Sequence, residues 1–154
     1  MNEQMTRWKV ALTAFFSALG TILGWKGIMA LVWVAVMALD YLTGSAAALK
    51  SGRWSSAAAR EGLWHKGGTI AVVAVAASAD GVMGVICANI PGFAWPELIL
   101  PLVLAWYILT ETGSILENVA AMGSSIPPWL MKLLKAGLKA VNDAGEGAAG
   151  EKPE

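Results

Sequence analysis

Charge, thiols and imidazoles are scarce in this chain. Of its 154 residues only 14% are charged, one is a cysteine and one is a histidine. A soluble domain carries about 25% charged residues, so a disordered tail and a basic nucleic-acid binder are both excluded as the main character of the chain. The single Cys87 cannot close an internal disulfide. With His65 as its only imidazole partner it gives no zinc-ligand spacing and no His-based triad. Gly67-Gly68 lacks the residues that frame a phosphate loop. The 11 basic and 11 acidic residues cancel, which removes the long-range attraction that draws a protein to nucleic acid. The expectation is a protein that is not an enzyme and carries no metal or cofactor.

What the chain has in excess is apolar sequence, 56% of residues. Four runs stand out: residues 10–24, 28–49 with one charge at Asp40, 67–88 with one charge at Asp80, and 96–122 with Glu97, Glu111 and Glu117. A run of about 22 residues reaches about 33 Å as a helix, enough for a hydrocarbon core of about 30 Å. A soluble bundle would need a polar stripe on each helix, and Val72-Val73-Ala74-Val75-Ala76-Ala77-Ser78-Ala79 has none. The fold class is therefore all-α, a polytopic helical membrane protein with four transmembrane helices. Residues 10–24 are short for a crossing, so three crossings plus an interfacial N-terminal helix is the alternative. A cleaved leader over residues 1–25 is disfavoured because Ser17-Ala18-Leu19-Gly20 makes a poor cleavage site.

Basic residues orient these segments. Arg7 and Lys9 precede the first, Lys50, Arg53, Arg60 and Lys66 separate the second from the third, and Lys132, Lys135 and Lys139 follow the fourth. Lys26 is alone in the first outer connection, and residues 89–97 carry no Lys or Arg. The positive-inside rule then predicts four crossings with both termini cytoplasmic. Trp8, Trp25, Trp54, Trp64, Trp95 and Trp129 lie at or just beyond segment ends, where an amphipathic indole anchors at the headgroup level. Residues 50–66, with two Trp and four basic residues, are expected to lie as an amphipathic stretch on anionic lipids. Ile126-Pro127-Pro128-Trp129 stops the fourth helix, and residues 129–141 follow as a basic amphipathic helix. The membrane domain thus spans residues 1–141, and the Gly, Ala and Glu-rich residues 142–154 form a flexible polar tail.

An ionised Asp near mid-membrane costs about 2.5–3.5 kcal/mol on insertion scales, so Asp40 and Asp80 should face other helices or water. Asp40 shares a helix face with Trp33, Met37, Gly44 and Ala47, and Asp80 stands beside Gly81 with Gly84 one turn on. Counted from the inner ends, the two carboxylates differ in depth by about 6 Å and are expected to share a polar layer, with Tyr41, Thr43 or Ser78 as local partners. No Lys, Arg or His inside a segment faces them. Glu111 and Glu117 with Asn118 form a polar stripe on the inner half of the fourth segment. Gly20 and Gly24 make a GxxxG pattern that suits helix packing. Small residues throughout favour self-association in the bilayer. An ion-coupled small transporter is disfavoured, because the segments show no inverted repeat.

Leu39-Asp40-Tyr41-Leu42-Thr43-Gly44-Ser45, then Leu49-Lys50-Ser51-Gly52, Ser55-Ser56 and the apolar run ending at Asp80 resemble the bacteriophage holin family that includes the clostridial toxin-release holins. Tyr107-Ile108-Leu109-Thr110-Glu111, Ser114-Ile115-Leu116-Glu117-Asn118 and Ile126-Pro127-Pro128-Trp129-Leu130 are similar to that family's closing segment. The resemblance covers roughly residues 20–135. It implies a protein of the bacterial inner membrane that forms large homo-oligomers during phage lysis and opens holes for an endolysin, without necessary contact with it. It places Asp40, Tyr41, Thr43 and Gly44 in the family's first motif, Asp80 at its second acid, and Glu111, Glu117 and Asn118 in its last. An antiholin is implied as a possible partner or as an alternative role. Met1 and Met5 offer two starts.

Overall fold

The computed structural model describes residues 3–150. These form four helices: α1 (Glu3–Lys50), α2 (Ser56–Asn89), α3 (Ile99–Ala121) and α4 (Pro128–Ala149). Proline placement explains much of this division. None occurs before Pro91, so no missing amide breaks α1 or α2, while Pro91 and Pro96 occupy the α2–α3 connection. Pro127 and Pro128 end the next connection, with Pro128 at the first helical position of α4, where its missing N–H costs nothing.

Glycine makes the remaining break. Gly24 sits inside α1 at φ 62°, ψ −179°, a conformation that side chains with a Cβ essentially never adopt, and the helix kinks there. Among the described residues Gly24 has no neighbour within 4 Å of where a Cβ would lie, so within one copy it serves as a bend. The side-chain surroundings of Gly20 lie outside the described residues. Gly52, at φ 67°, helps turn the chain from α1 into α2, and the Ser55 side chain caps α2 by accepting from the Ala58 N–H at 3.1 Å.

Among the described residues three helices are long and apolar enough to cross a membrane: Leu23–Lys50, Ser56–Asn89 and Ile99–Ala121. The protein is therefore all-helical and multi-pass, and the stretch before Leu23 is not among these three. Helix α1 packs mainly on α3, α2 touches α3 and barely reaches α1, and α4 lies along α3. The accessible surface of 10,695 Å² far exceeds the roughly 7,400 Å² of a compact soluble monomer of this mass. Val75 is 69% exposed and Val85 64%, while the buried set among the described residues includes Thr69, Asp80 and Glu111 beside Trp33, Ala76 and Leu104. Polar inside and apolar outside is the arrangement that lipid, not water, selects.

Two sequence expectations need correction. Residues 56–66 are not a separate surface stretch but the first three turns of α2, because the Ser55 cap and the Ala57-Ala58-Ala59 run start the helix early. Residues 142–149 are helical, not a loose tail. Lys139 bonds Asp143 one turn ahead, the alanines favour the helix, and Gly150 closes it in a left-handed conformation at φ 84°. Residues 151–154 of the expected tail lie outside the described residues.

Candidate functional site

The three crossing helices bring their charged side chains together at one level. Asp40 lies ten residues before the end of its helix, Lys66 ten residues after the start of its own, and Glu111 ten residues before the end of α3, about 15 Å along each axis. The Lys66 ammonium donates to Asp40 Oδ2 at 2.8 Å and also to Glu111 Oε2. All three side chains are largely buried, with 11%, 17% and 8% of the Lys66, Asp40 and Glu111 side chains exposed. The Asn118 amide completes the cluster, donating to Asp40 Oδ1 at 3.0 Å and to Thr43 Oγ1 at 3.3 Å. Thr43 in turn donates to the carbonyls of Leu39 and Asp40, and Thr69 donates to the Lys66 carbonyl.

This geometry overturns the expectation that the intramembrane acids have no cation opposite them. Lys66 is that cation. It escaped notice because it stands at the edge of its apolar run, where charge ordinarily marks a loop. One ammonium serves two carboxylates, so the cluster keeps one formal negative charge. Such a network stabilises helix association only while each member keeps its partners.

Gly44 is what lets α1 and α3 approach here. A Cβ on it would stand 3.4 Å from Asn118 Nδ2, tight enough to push the amide away from Asp40. Tyr41 does not join the cluster. It lines, with Gly44, Trp54 and Gly62, a cavity of about 220 Å³ between α1 and the first turns of α2 that ends at Asp40 and Lys66. Glu117 is exposed and stands apart.

Asp80 belongs to a different layer, fourteen residues along α2 from Lys66 and so about 21 Å away. The shared Asp40–Asp80 layer expected from residue counts does not form, because α2 starts eleven residues earlier than its apolar run. Asp80 instead accepts from the Leu100 N–H at 2.8 Å, the Ile99 N–H at 3.3 Å and Trp95 Nε1 at 3.0 Å. It satisfies the open N–H groups at the start of α3 from a neighbouring helix, since Leu98 at the cap position supplies no side-chain bond. Lys26 and Glu97 form an ion pair close by, and a Cβ on Gly84 would meet Glu97 Oε1 at 3.5 Å. Gly81 touches nothing at its Cβ position and lines a cavity of about 480 Å³ with Lys26, Asp80, Gly84 and Glu97.

Of the tryptophans expected at the interface, Trp8, Trp25, Trp54, Trp64 and Trp129 are exposed. Trp95 is half-buried, its indole N–H committed to Asp80. Trp33, on the same helix face as Asp40, is 5% exposed and packs on Tyr107 at a ring separation of 6.4 Å, between the two polar layers.

An uncharacterized protein of Clostridium perfringens strain 13 is 36% identical over 97 residues, 63% of this chain and 65% of that protein, so the chain spans a little under two thirds of that relative. An uncharacterized 14.9 kDa protein from the nagH 3' region of Clostridium perfringens is 32% identical over 122 residues, covering 77% of this chain and 86% of its own. An uncharacterized protein of Halalkalibacterium halodurans is 27% identical over 132 residues, covering 86% and 93%. No solved structure matches. The sequence profile of the bacteriophage holin family matches residues 17–139, a range that contains both polar layers and all three membrane-length helices, and the chain belongs to that family.

Proposed function

We propose that this protein is a phage holin that oligomerises in the host inner membrane and opens holes through which an endolysin reaches the cell wall. The observation that carries the proposal is the exposed apolar surface: open apolar faces on α1 and α2 around a small interior in which Thr69, Asp80 and Glu111 are buried beside Trp33, Ala76 and Leu104. Lipid covers those faces in a single copy, and other copies cover them in an assembly. The Lys66–Asp40–Glu111 cluster holds the three helices of each copy together, so that the copy is the unit of assembly. Tyr41, Gly81 and the exposed small residues of α2 belong to contacts between copies, as do Gly20 and Gly24. Trp8, Trp25, Trp54, Trp64 and Trp129 anchor at the lipid interface, where anionic headgroups meet the basic residues.

In this topology the α1–α2 turn, with Lys50 and Arg53, and the start of α4 face the cytoplasm. Residues 10–24, about 22 Å as a helix and extended by Trp8, Lys9 and Trp25 as interface anchors, form the fourth crossing and return Arg7 to that side. A reporter fused to the N-terminus should be active only in the cytoplasm; activity outside would leave three crossings.

The deciding experiment induces the protein alone in a bacterium while recording membrane potential, with an endolysin lacking an export signal in a parallel culture. Abrupt depolarisation after a lag, and lysis only in the parallel culture, is the expected result. Intact potential with normal growth would refute autonomous hole formation and leave an antiholin role. Asp40→Asn, at equal protein level, should shift or abolish the triggering time while insertion is retained.

A further inference from the structure

Helix α4 is as long as the membrane-crossing α3, 22 residues against 23, and it folds back along it. A Cβ on Gly137 would stand 3.5 Å from Leu109 Cδ1, in the middle of α3. Further along, Val141 and Gly145 line a cavity of about 240 Å³ with Leu102, Val103 and Trp106. Leu102 is nineteen residues, about 29 Å, from the inner end of α3. A helix lying flat on the inner surface cannot reach that position, so α4 as placed here runs through the thickness of the membrane. Its hydropathy does not qualify it as a span in its own right.

At 100° per residue α4 has three distinct faces. Leu130, Leu134, Gly137, Leu138 and Val141 form the face against α3. Lys132, Lys135, Lys139, Asp143 and Glu146, all of its charged residues, fall within an arc of about 80°, and Glu146 at the far end of the helix also borders the cavity beside Leu102, Val103 and Trp106. Between them runs an apolar flank containing Trp129, Leu133, Ala136 and Ala140, all exposed, with Leu133 62% and Trp129 61% open. Lys139 bonds only Asp143 and is 74% exposed. Each charge facing lipid at depth would cost about 2.5–3.5 kcal/mol, so a strip of five is incompatible with a lipid environment. It requires water at membrane depth.

We infer that α4 lines the aqueous lumen of the assembled hole, with its charged strip facing water. This deepens the hole-forming function proposed above and rests on it. The strip is net positive by one, from three lysines against two carboxylates.

The test uses full-length protein reconstituted in lipid vesicles and planar bilayers, with Cys87→Ser as background. Leu109→Cys with Gly137→Cys, treated with dibromobimane, which fluoresces on bridging two adjacent thiols, should bridge in the conducting preparation. Val103→Cys with Gly145→Cys serves as a second pair nearer the outer face. Separately, Lys135→Glu with Lys139→Glu, or Lys139→Glu alone if the double variant fails to insert, should move the reversal potential in a salt gradient from weak anion preference toward cations. If the wild-type protein conducts but neither pair bridges, or selectivity is unmoved by the charge reversals, the lumen assignment is overturned and the hole-forming function stands. If the wild-type protein does not conduct at all, the hole-forming function itself fails.

Discussion

Replacing Lys66 by methionine removes the one cation shared by two buried carboxylates and keeps the length of the side chain. Asp40 and Glu111 then face each other across α1 and α3 with only Asn118 and Thr43 as polar neighbours. Breaking a buried ion pair by deleting one partner costs about 3–5 kcal/mol, because the surviving charge keeps its desolvation penalty. That corresponds to roughly two to three and a half orders of magnitude in the equilibrium between associated and separated helices. The assay is detergent-solubilised protein followed by near-ultraviolet circular dichroism and size-exclusion chromatography across a denaturant series. Lys66→Met should lose its cooperative transition or shift it strongly toward low denaturant. The triple variant Lys66→Met, Asp40→Asn, Glu111→Gln should recover most of the loss, since no ion is then left unpaired. A Lys66→Met single variant as stable as wild type would refute the assignment of the cluster as the element that joins the helices.

Asp80→Ala should cost about 1–2 kcal/mol, as the loss of a helix cap does, with the Trp95 environment changed in the fluorescence spectrum; an unmoved midpoint would show that α3 starts without it. Gly44→Leu should separate α1 from α3 and destabilise by more than Gly44→Ala, because the added atoms meet Asn118 directly; equal midpoints for the two would contradict the close approach. Glu97→Gln should cost less than about 1 kcal/mol, since Glu97 is half-exposed and its pair with Lys26 is solvent-screened; a loss comparable to that of Lys66→Met would require the outer layer to be dry.

The helices were legible in the sequence, and their partnerships were not. Apolar runs with Pro91, Pro96 and Pro127 between them mark the end of α2, both ends of α3 and the following turn within a few residues, since lipid-spanning length and the missing proline amide are local properties. Lys66 was misplaced because its neighbours Arg60, Glu61 and His65 are polar, and a cluster of such residues looks like a connection. The Ser55 cap followed by three alanines was the available sign that the helix begins there. That Asp40 meets Lys66 and that Asp80 caps a different helix both follow from the register between helices, which a single sequence does not carry. The helical character of residues 142–149 was hidden by composition: glycine and glutamate there suggest a solvated tail, while the Lys139–Asp143 pair and the Gly150 stop are visible only by their spacing.

The order of the ionic cluster along the chain bears on how the protein is made. Asp40 emerges from the ribosome 26 residues before Lys66, and Glu111 follows another 45 residues later. A first helix released into lipid alone would carry its carboxylate without a counter-charge until synthesis has advanced through the whole α1–α2 turn. The favourable course is for α1 and α2 to leave the translocon as one hairpin, neutralised at Lys66, and for α3 to join afterwards with a second acid. Biogenesis thus becomes cooperative between segments, and the protein-conducting channel must hold the first span until its partner has been made.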